Sequence, residues 1–183
     1  MITDNTSVKG HYSLRVKDGQ GNYKNLWQEN AFGGFLLSLG LDIRTPLTGG
    51  FSTTYEKDNL VVNAGLAGIA SRLNGDGAEA AFTYIALGTD TTAAAAANTA
   101  LGTELAADGL SRAAATASRD TENVSNDTAK LVKTFSATGS YAIAEIGIFN
   151  AASAGTMLSR TIITTKNVAN GDSLEVTYTI YSA

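Results

Sequence analysis

Histidine and cysteine, two residue types that often carry nucleophilic or metal chemistry, are almost missing from this sequence. His11 is the only histidine, and the 183 residues include no cysteine. A zinc site built from histidine and cysteine is therefore excluded. A Ser-His-Asp triad would have to use His11, which stands near the amino terminus with no catalytic partner close to it in sequence. We predict that His11 is a surface residue at the start of a strand.

The segment from Gly75 to Ala80, with the sequence GDGAEA, fits the dinucleotide-binding pattern G-x-G-x-x-A. That pattern requires a strand before it and a helix after it, whereas here a predicted helix precedes it and a predicted strand follows. Asn74, Asp76 and Glu79 supply oxygen atoms that calcium could use, but the alternating ligands of an EF-hand are missing. We predict no cofactor-binding or metal-binding residue in this segment.

Two carboxylates occupy apolar surroundings in the sequence. Glu145 lies in the middle of an apolar predicted strand, and Glu104 is followed by a leucine. Burying a glutamate is costly unless it is paired, and Arg112 and Arg160 are the candidate partners. A general acid–base pair would also need a pocket and a positioned substrate, for which the sequence gives no sign. We therefore predict structural ion pairs, no catalytic residues and a protein that is not an enzyme.

The composition is that of a folded domain held together by packing and backbone pairing. The chain is 44% hydrophobic and 16% charged, with 13 Lys and Arg against 17 Asp and Glu. It has no basic cluster, so nucleic acid is not an expected partner. No apolar run approaches the ~18 residues of a membrane span, and no signal peptide is visible. We predict a polar amino-terminal arm at residues 1–10 and a single β-rich domain at residues 11–183.

Short segments rich in Val, Ile, Thr, Tyr and Phe dominate the chain and predict a mainly β fold. Turns rich in Gly, Asn and Ser separate them, which is typical of an antiparallel sandwich. We predict an antiparallel β-sandwich-like, jelly-roll-like domain with one or two short helices. The predicted strands comprise residues 11–16, 23–29, 81–87, 131–136, 142–149, 156–165 and 174–181. The predicted core comprises Trp27, Leu66, Ile69, Phe82, Ile85, Leu87, Phe135, Ile146, Ile148, Val176, Tyr178 and Ile180.

The first two predicted strands should pair as a hairpin, because residues 17–22 contain two glycines suited to a tight turn. Residues 31–41 fit either a short helix or a buried extended segment, and periodicity does not decide between them. Residues 42–58 include the only proline and are predicted to be a long loop. The five alanines at 93–97 favour a helix by propensity, but their loop-like flanks favour a surface loop leading into a short helical turn.

A helix is predicted where Leu66, Ile69, Ala70 and Leu73 occur at the spacing i, i+3, i+4 and i+7. The sequence Asn-Gly-Asp-Gly at residues 74–77 should end it, since these residues tolerate a left-handed cap.

Five sequence blocks in a fixed order resemble a family of structural proteins of tailed-bacteriophage virions. They are YIALGT (84–89), TALGTEL (99–105), AEIGIFN (144–150), MLSR (157–160) and GDSLEVTYT (171–179). The NAGL segment (63–66), which enters the predicted helix, is also similar to that family. The resemblance covers roughly residues 8 to 183. It departs at residues 107–111, where this chain has an insertion before Arg112, and it does not extend to residues 42–58. It implies a place in a virus particle and no catalytic residues.

From this resemblance we expect a virion protein that is assembled in the host cytoplasm and binds other proteins. The favoured expectation is a capsid decoration or cement protein that binds the major capsid protein, stabilises the head and associates with itself as a homotrimer. The alternatives are a tail, baseplate or fibre-associated structural protein, or a receptor- or carbohydrate-binding module. No cofactor, nucleic acid or membrane is an expected partner.

Overall fold

Twelve strands and two helices form the chain in the computed structural model, which describes residues 7–77 and 79–182. Strand accounts for 44% and helix for 11% of the chain, which confirms the predicted mainly β fold. The helices are α1 (Ala31–Ser38) and α2 (Asn63–Asn74). The strands are β1 (Val8–Lys17), β2 (Leu26–Glu29), β3 (Gly49–Ser52), β4 (Tyr55–Asp58), β5 (Leu60–Val61), β6 (Tyr84–Gly88), β7 (Ala113–Ala114), β8 (Thr116–Asp120), β9 (Thr128–Ser136), β10 (Tyr141–Phe149), β11 (Met157–Val168) and β12 (Ser173–Ser182).

The strands form two five-stranded antiparallel sheets and a small sheet of two strands. The first sheet has the order β4-β1-β12-β9-β8, the second has β5-β11-β10-β6-β7, and β2 pairs with β3. Pairing is nested over the last four strands, since β10 pairs with β11 in one sheet while β9 pairs with β12 in the other. The chain therefore crosses between the two sheets twice in its final third, as it does in a sandwich of Greek-key type.

One core fills the space between the two large sheets. Leu14 and Val176 of the first sheet belong to the same buried cluster as Ile85, Ile146 and Ile148 of the second. Alternation along β12 places Leu174, Val176 and Tyr178 in this core, as the period-2 pattern predicts. The antiparallel sandwich-like fold is confirmed.

The second sheet is covered on its outer face as well as its inner face. Seven consecutive residues of β10, Ile143–Phe149, are buried. Because successive side chains of a strand point to opposite faces, this run requires a cover on both sides. Leu101 of the segment at residues 89–112 is buried and clusters with Phe149, whereas Leu105 and Leu110 of the same segment belong to the core between the sheets. This segment, hereafter the covering loop, contains the alanine run, which is loop and turn as predicted.

Helix α2 is present as predicted, but its buried face is not the predicted one. Its buried residues are Gly65 and Gly68, and a Cβ on Gly65 would overlap the Leu158 carbonyl. The helix thus lies close to the second sheet through glycine. Leu66 is 47% and Leu73 is 85% exposed, so the placement of Leu66 in the core was wrong. The helix ends as predicted, at Gly75, whose φ of 73° is left-handed.

The predicted amino-terminal hairpin was largely wrong. Lys17 and Tyr23 form a single bridge around the turn. Strand β1 pairs with β12 along its length and with β4 over His11–Leu14, so that part of its edge is not available to a return strand. Strand β2 pairs with β3 instead. Residues 42–58 are therefore not one long loop, because they contain β3 and β4.

Other predictions at this end of the chain have mixed outcomes. Residues 31–38 are helical rather than extended. Of the predicted arm at residues 1–10, Val8–Gly10 belong to β1 and pair with β12, and residues 1–6 lie outside the described residues. Of the predicted core, Ile69, Phe82 and Ile180 are half-buried and pack against the central cluster. The remaining predicted core residues, except Leu66, are buried.

Candidate functional site

A buried charge network on the outer face of the second sheet contains two of the residues singled out in the sequence. Glu145 of β10 is fully buried and Arg160 of β11 is 2% exposed. Their atoms Oε2 and Nη2 lie 2.8 Å apart, so Glu145 is in an ion pair as expected, and its partner is Arg160, one of the two candidates. The same Nη2 lies 2.9 Å from Oδ2 of Asp90, in the covering loop. One arginine therefore joins two carboxylates, and one of these belongs to the loop.

The remaining capacity of Glu145 is used by the backbone of the covering loop. The amides of Gly102 and Thr103 donate to its two carboxylate oxygens, at 3.0 and 2.8 Å. Asn98 accepts from Nη1 of Arg160 at 3.1 Å. A buried charge of this kind persists only with good geometry and further hydrogen bonds, and both conditions are met here.

Asp90 is the most exposed of the three charged residues in this network, with a side chain that is 23% exposed. Its pKa lies below the usual range of an aspartate, first because the backbone amide of Thr92 donates to it and also because of the Thr92 hydroxyl and Arg160. The carboxylate is therefore ionised at neutral pH and available to Arg160. Its two oxygens hold the start of the covering loop in a turn while binding the sheet.

The second predicted ion pair lies at the other end of the covering loop. Arg112 donates to both oxygens of Glu104, at 2.8 and 2.6 Å, in a bidentate arrangement. Its guanidinium carbon lies 3.5 Å from the centre of the Phe149 ring, and Nη1 donates to the Ala154 carbonyl at 2.7 Å. Arg112, the other candidate, therefore pairs with Glu104. Arg112 thus ties the loop to the turn between β10 and β11, by contacts that a lysine could not reproduce.

A third network joins β2, β4 and β11 and was missed in the sequence. Glu29 accepts from the Tyr55 hydroxyl at 2.7 Å and from Lys57 at 2.8 Å. Lys166, which is 2% exposed, donates to the Trp27 carbonyl and lies 3.5 Å above the Tyr55 ring. Tyr55 and Lys57 stand two residues apart and therefore point to the same face of β4. A strand prediction for residues 55–58 would have placed them together.

Burial sets the titration of this third network. Desolvation lowers the pKa of Lys166 to about 7, against the partly compensating charge of Glu29. Desolvation and the neighbouring Glu29 together raise the pKa of Tyr55 well above its usual value. The pKa of Glu29 is lowered: desolvation, the largest effect, is outweighed by the hydrogen bonds from Lys57 and Tyr55 and the Lys57 charge. The network carries a buried lysine that changes charge near neutral pH.

The remaining sequence candidates do not converge on a site. Nδ1 of His11 lies 3.0 Å from an oxygen of Asp58, whose side chain is 90% exposed, at the surface of β1 and β4. Oδ1 of Asn74 accepts from the amide of Asp76, and Glu79 accepts from the Asn150 amide group instead of facing them. Among the described residues, no group of three or more His, Asp or Glu is arranged to hold a metal ion.

Two surface grooves lie beside α1. The first, of about 220 Å³, lies between α1 and the second sheet and is lined in part by Lys57, Asp58 and Ala93. A neighbouring groove of about 270 Å³ includes His11 and Gln28. Neither helix of the described chain has the length and apolar character of a membrane span.

The three networks have one physical effect in common, which is to fix loops and small strands on the sandwich. Each arginine or buried lysine is held by partners within the chain, and its contacts run between elements distant in sequence. This is the pattern of a rigid scaffold, in which the charged groups specify how the covering loop and β2 lie.

Comparison with known proteins gives one family. Residues 53–180 match the family described as podophage GP4 fiber I protein gp80. The matched segment is well over half of the chain, begins just before β4, ends within β12 and contains the covering loop with both predicted ion pairs. No match was found among curated proteins or among solved structures.

Proposed function

The chain belongs to the family of the podophage GP4 fiber I protein gp80, and from this membership we propose that it is a fibre-associated structural subunit of the virion. The family match confirms the resemblance to structural proteins of tailed-phage virions. The chain is therefore a phage virion structural protein, and a location in the virion fits this. The fibre is the finer placement that we propose.

The observation that carries this proposal is the extent of the family match. It includes the whole of the second sheet, four of the five strands of the first sheet, the covering loop and α2, while β1 lies outside it. The family's description therefore applies to most of the sandwich and not to an appended piece. The description names a fibre protein. This favours the fibre-associated alternative over the capsid-decoration role that was the first expectation from sequence.

A role in assembly rather than in catalysis agrees with the chemistry of the described residues. The buried carboxylates and arginines are used in ion pairs with loop backbone or with each other, in positions that stabilise the covering loop. We propose that the protein is not an enzyme and that its partners are neighbouring virion proteins and further copies of itself. Its charge of −4 and lack of a basic cluster give no support to nucleic acid as a partner.

The proposal is tested by quantitative mass spectrometry of virions separated into heads and tail structures. We expect the protein to copurify with the tail and fibre fraction at a low copy number relative to the major capsid protein. Recovery of the protein with heads, at a copy number close to that of the capsid protein, would contradict the fibre placement and support the capsid-decoration role instead.

A further inference from the structure

Helix α1 presents two apolar faces, and only one of them packs on the protein. Gly33 and Leu37, spaced i and i+4, are buried against the rest of the chain. Phe32, Phe35 and Leu39 occur at i, i+3 and i+7 and are 49%, 58% and 60% exposed. A surface helix normally places polar residues on its outer face. Here that face is aromatic and aliphatic.

The exposed apolar surface continues into the chain that follows α1. Leu41 returns to the helix, since its amide donates to the Leu36 carbonyl at 2.9 Å. The Asn30 side chain donates to the Leu47 carbonyl at 2.9 Å, which holds that part of the loop against the helix start. We define the α1–β3 face by the exposed apolar residues of this segment. They are Phe32, Phe35, Leu39, Leu41, Ile43, Leu47 and Phe51.

The size of the α1–β3 face is that of a protein interface. Its seven side chains remain between 45% and 72% exposed with residues 7–77 and 79–182 in place. At these fractions they present on the order of 700 Å² of apolar surface, where a stable interface needs about 800 Å² from each partner. The largest apolar patch on a typical monomer is about 300–600 Å². The combined exposed apolar area of the seven residues is thus close to what one partner contributes to a stable interface.

The charge pattern indicates what covers this surface. No charged residue occurs from Ala31 to Leu41, and the first charged residues after it, Asp42 and Arg44, form an ion pair at 2.6 Å. The face therefore carries no unpaired charge that would repel an identical face, and none that would select an oppositely charged partner. Interfaces between identical subunits are also the more apolar class.

We propose that the α1–β3 face is the surface through which copies of this chain associate with one another. Copies meet with this face towards a common symmetry axis, so that aromatic side chains from each copy pack together and the sandwiches lie outside. The face lies in residues 31–51, before the segment matched to the fibre family. The self-association is therefore independent of the fibre placement and can fail or hold separately from it.

Light scattering coupled to size-exclusion chromatography tests the proposal on the full chain. We expect the wild type to have a mass that is a multiple of the 18.9 kDa chain over a wide range of concentration. The double variant Phe35→Asp with Leu47→Asp should run as an 18.9 kDa monomer with an unchanged circular dichroism spectrum. The matched control is Leu73→Asp, because Leu73 is an 85% exposed leucine on α2, and it should leave the oligomer intact.

Cysteine cross-linking keeps the proposal testable if the double variant does not fold. The chain has no cysteine, so Phe35→Cys supplies the only thiol. Mild oxidation should give a covalent dimer in high yield with Phe35→Cys and little with Leu73→Cys. A wild type that is monomeric at every concentration, or equal cross-linking of the two cysteine variants, would overturn the proposal and leave the face to a different protein.

Discussion

Removing the Glu145 carboxylate should destabilise the protein more than any other change of a charged residue in the covering-loop networks. In Glu145→Ala, Arg160 loses one of its two carboxylate partners while remaining 2% exposed. The amides of Gly102 and Thr103 lose their acceptor at the same time. The substitution therefore combines a broken buried ion pair with unsatisfied backbone donors.

The expected cost follows from these lost interactions. Breaking a buried ion pair by removing one partner costs about 3–5 kcal/mol. Asp90 still holds Arg160 at 2.9 Å, which places the expected loss at the low end, at about 3 kcal/mol. Glu145→Gln keeps an acceptor for the loop amides but not the charge, and should lose roughly half as much. Glu175→Ala is the control, because Glu175 is 40% exposed and 4.0 Å from Arg15, and it should change stability by less than about 0.5 kcal/mol.

Urea unfolding at pH 7, followed by the fluorescence of the single tryptophan, Trp27, measures these differences. A double-mutant cycle with Arg160→Met should give a coupling energy of about 2 kcal/mol between Glu145 and Arg160. Hydrogen exchange of the peptide containing Gly102 and Thr103 should become faster in Glu145→Ala. A loss below about 1 kcal/mol with unchanged exchange would refute the view that this network holds the covering loop.

Three further predictions concern other contacts. Arg112→Lys should lose about 1–3 kcal/mol in the same unfolding assay, because lysine cannot replace the bidentate pair and the Phe149 stacking, whereas Arg15→Lys at an exposed pair should be neutral. Burial lowers the pKa of Lys166 from 10.5 to about 7, so between these pH values the unfolded chain binds more protons than the folded chain. The stability of the wild type should therefore rise with pH in this window relative to that of Lys166→Met. Parallel stability profiles of the two proteins would contradict the burial effect. Gly65→Ala should lower the thermal midpoint strongly, because its Cβ meets the Leu158 carbonyl, while Gly50→Ala, which has open space around it, should not; equal midpoints would contradict the close packing of α2.

The strands of the final third could be predicted from sequence because their alternation and their burial have the same cause. Leu174, Val176 and Tyr178 line the core, and the polar residues between them do not. That Glu145 and Glu104 would pair with Arg112 and Arg160 could be predicted, because burying a glutamate is costly unless it is paired and few arginines were available. Which arginine pairs with which glutamate comes from the structure alone.

The amino-terminal third could not be predicted in the same way, because its structure depends on partners distant in sequence. Strand β1 is paired on both sides by strands from other parts of the chain, which local turn signals cannot reveal. Leu66 was misplaced because α2 approaches the sheet through Gly65, and a hydrophobic pattern gives no weight to a residue without a side chain. The α1–β3 face departs from the rule that the outer face of a surface helix is polar. Apolar periodicity indicates that a face will be covered, but it does not show whether the same chain covers it.

Immunogold labelling of intact virions, viewed by electron microscopy, tests the fibre placement most directly. An antibody raised against the exposed hairpin of β8 and β9 would reach this surface, since every residue of β8 is exposed. We predict gold particles along the fibres and none on the head. Labelling distributed over the head surface would contradict the fibre placement.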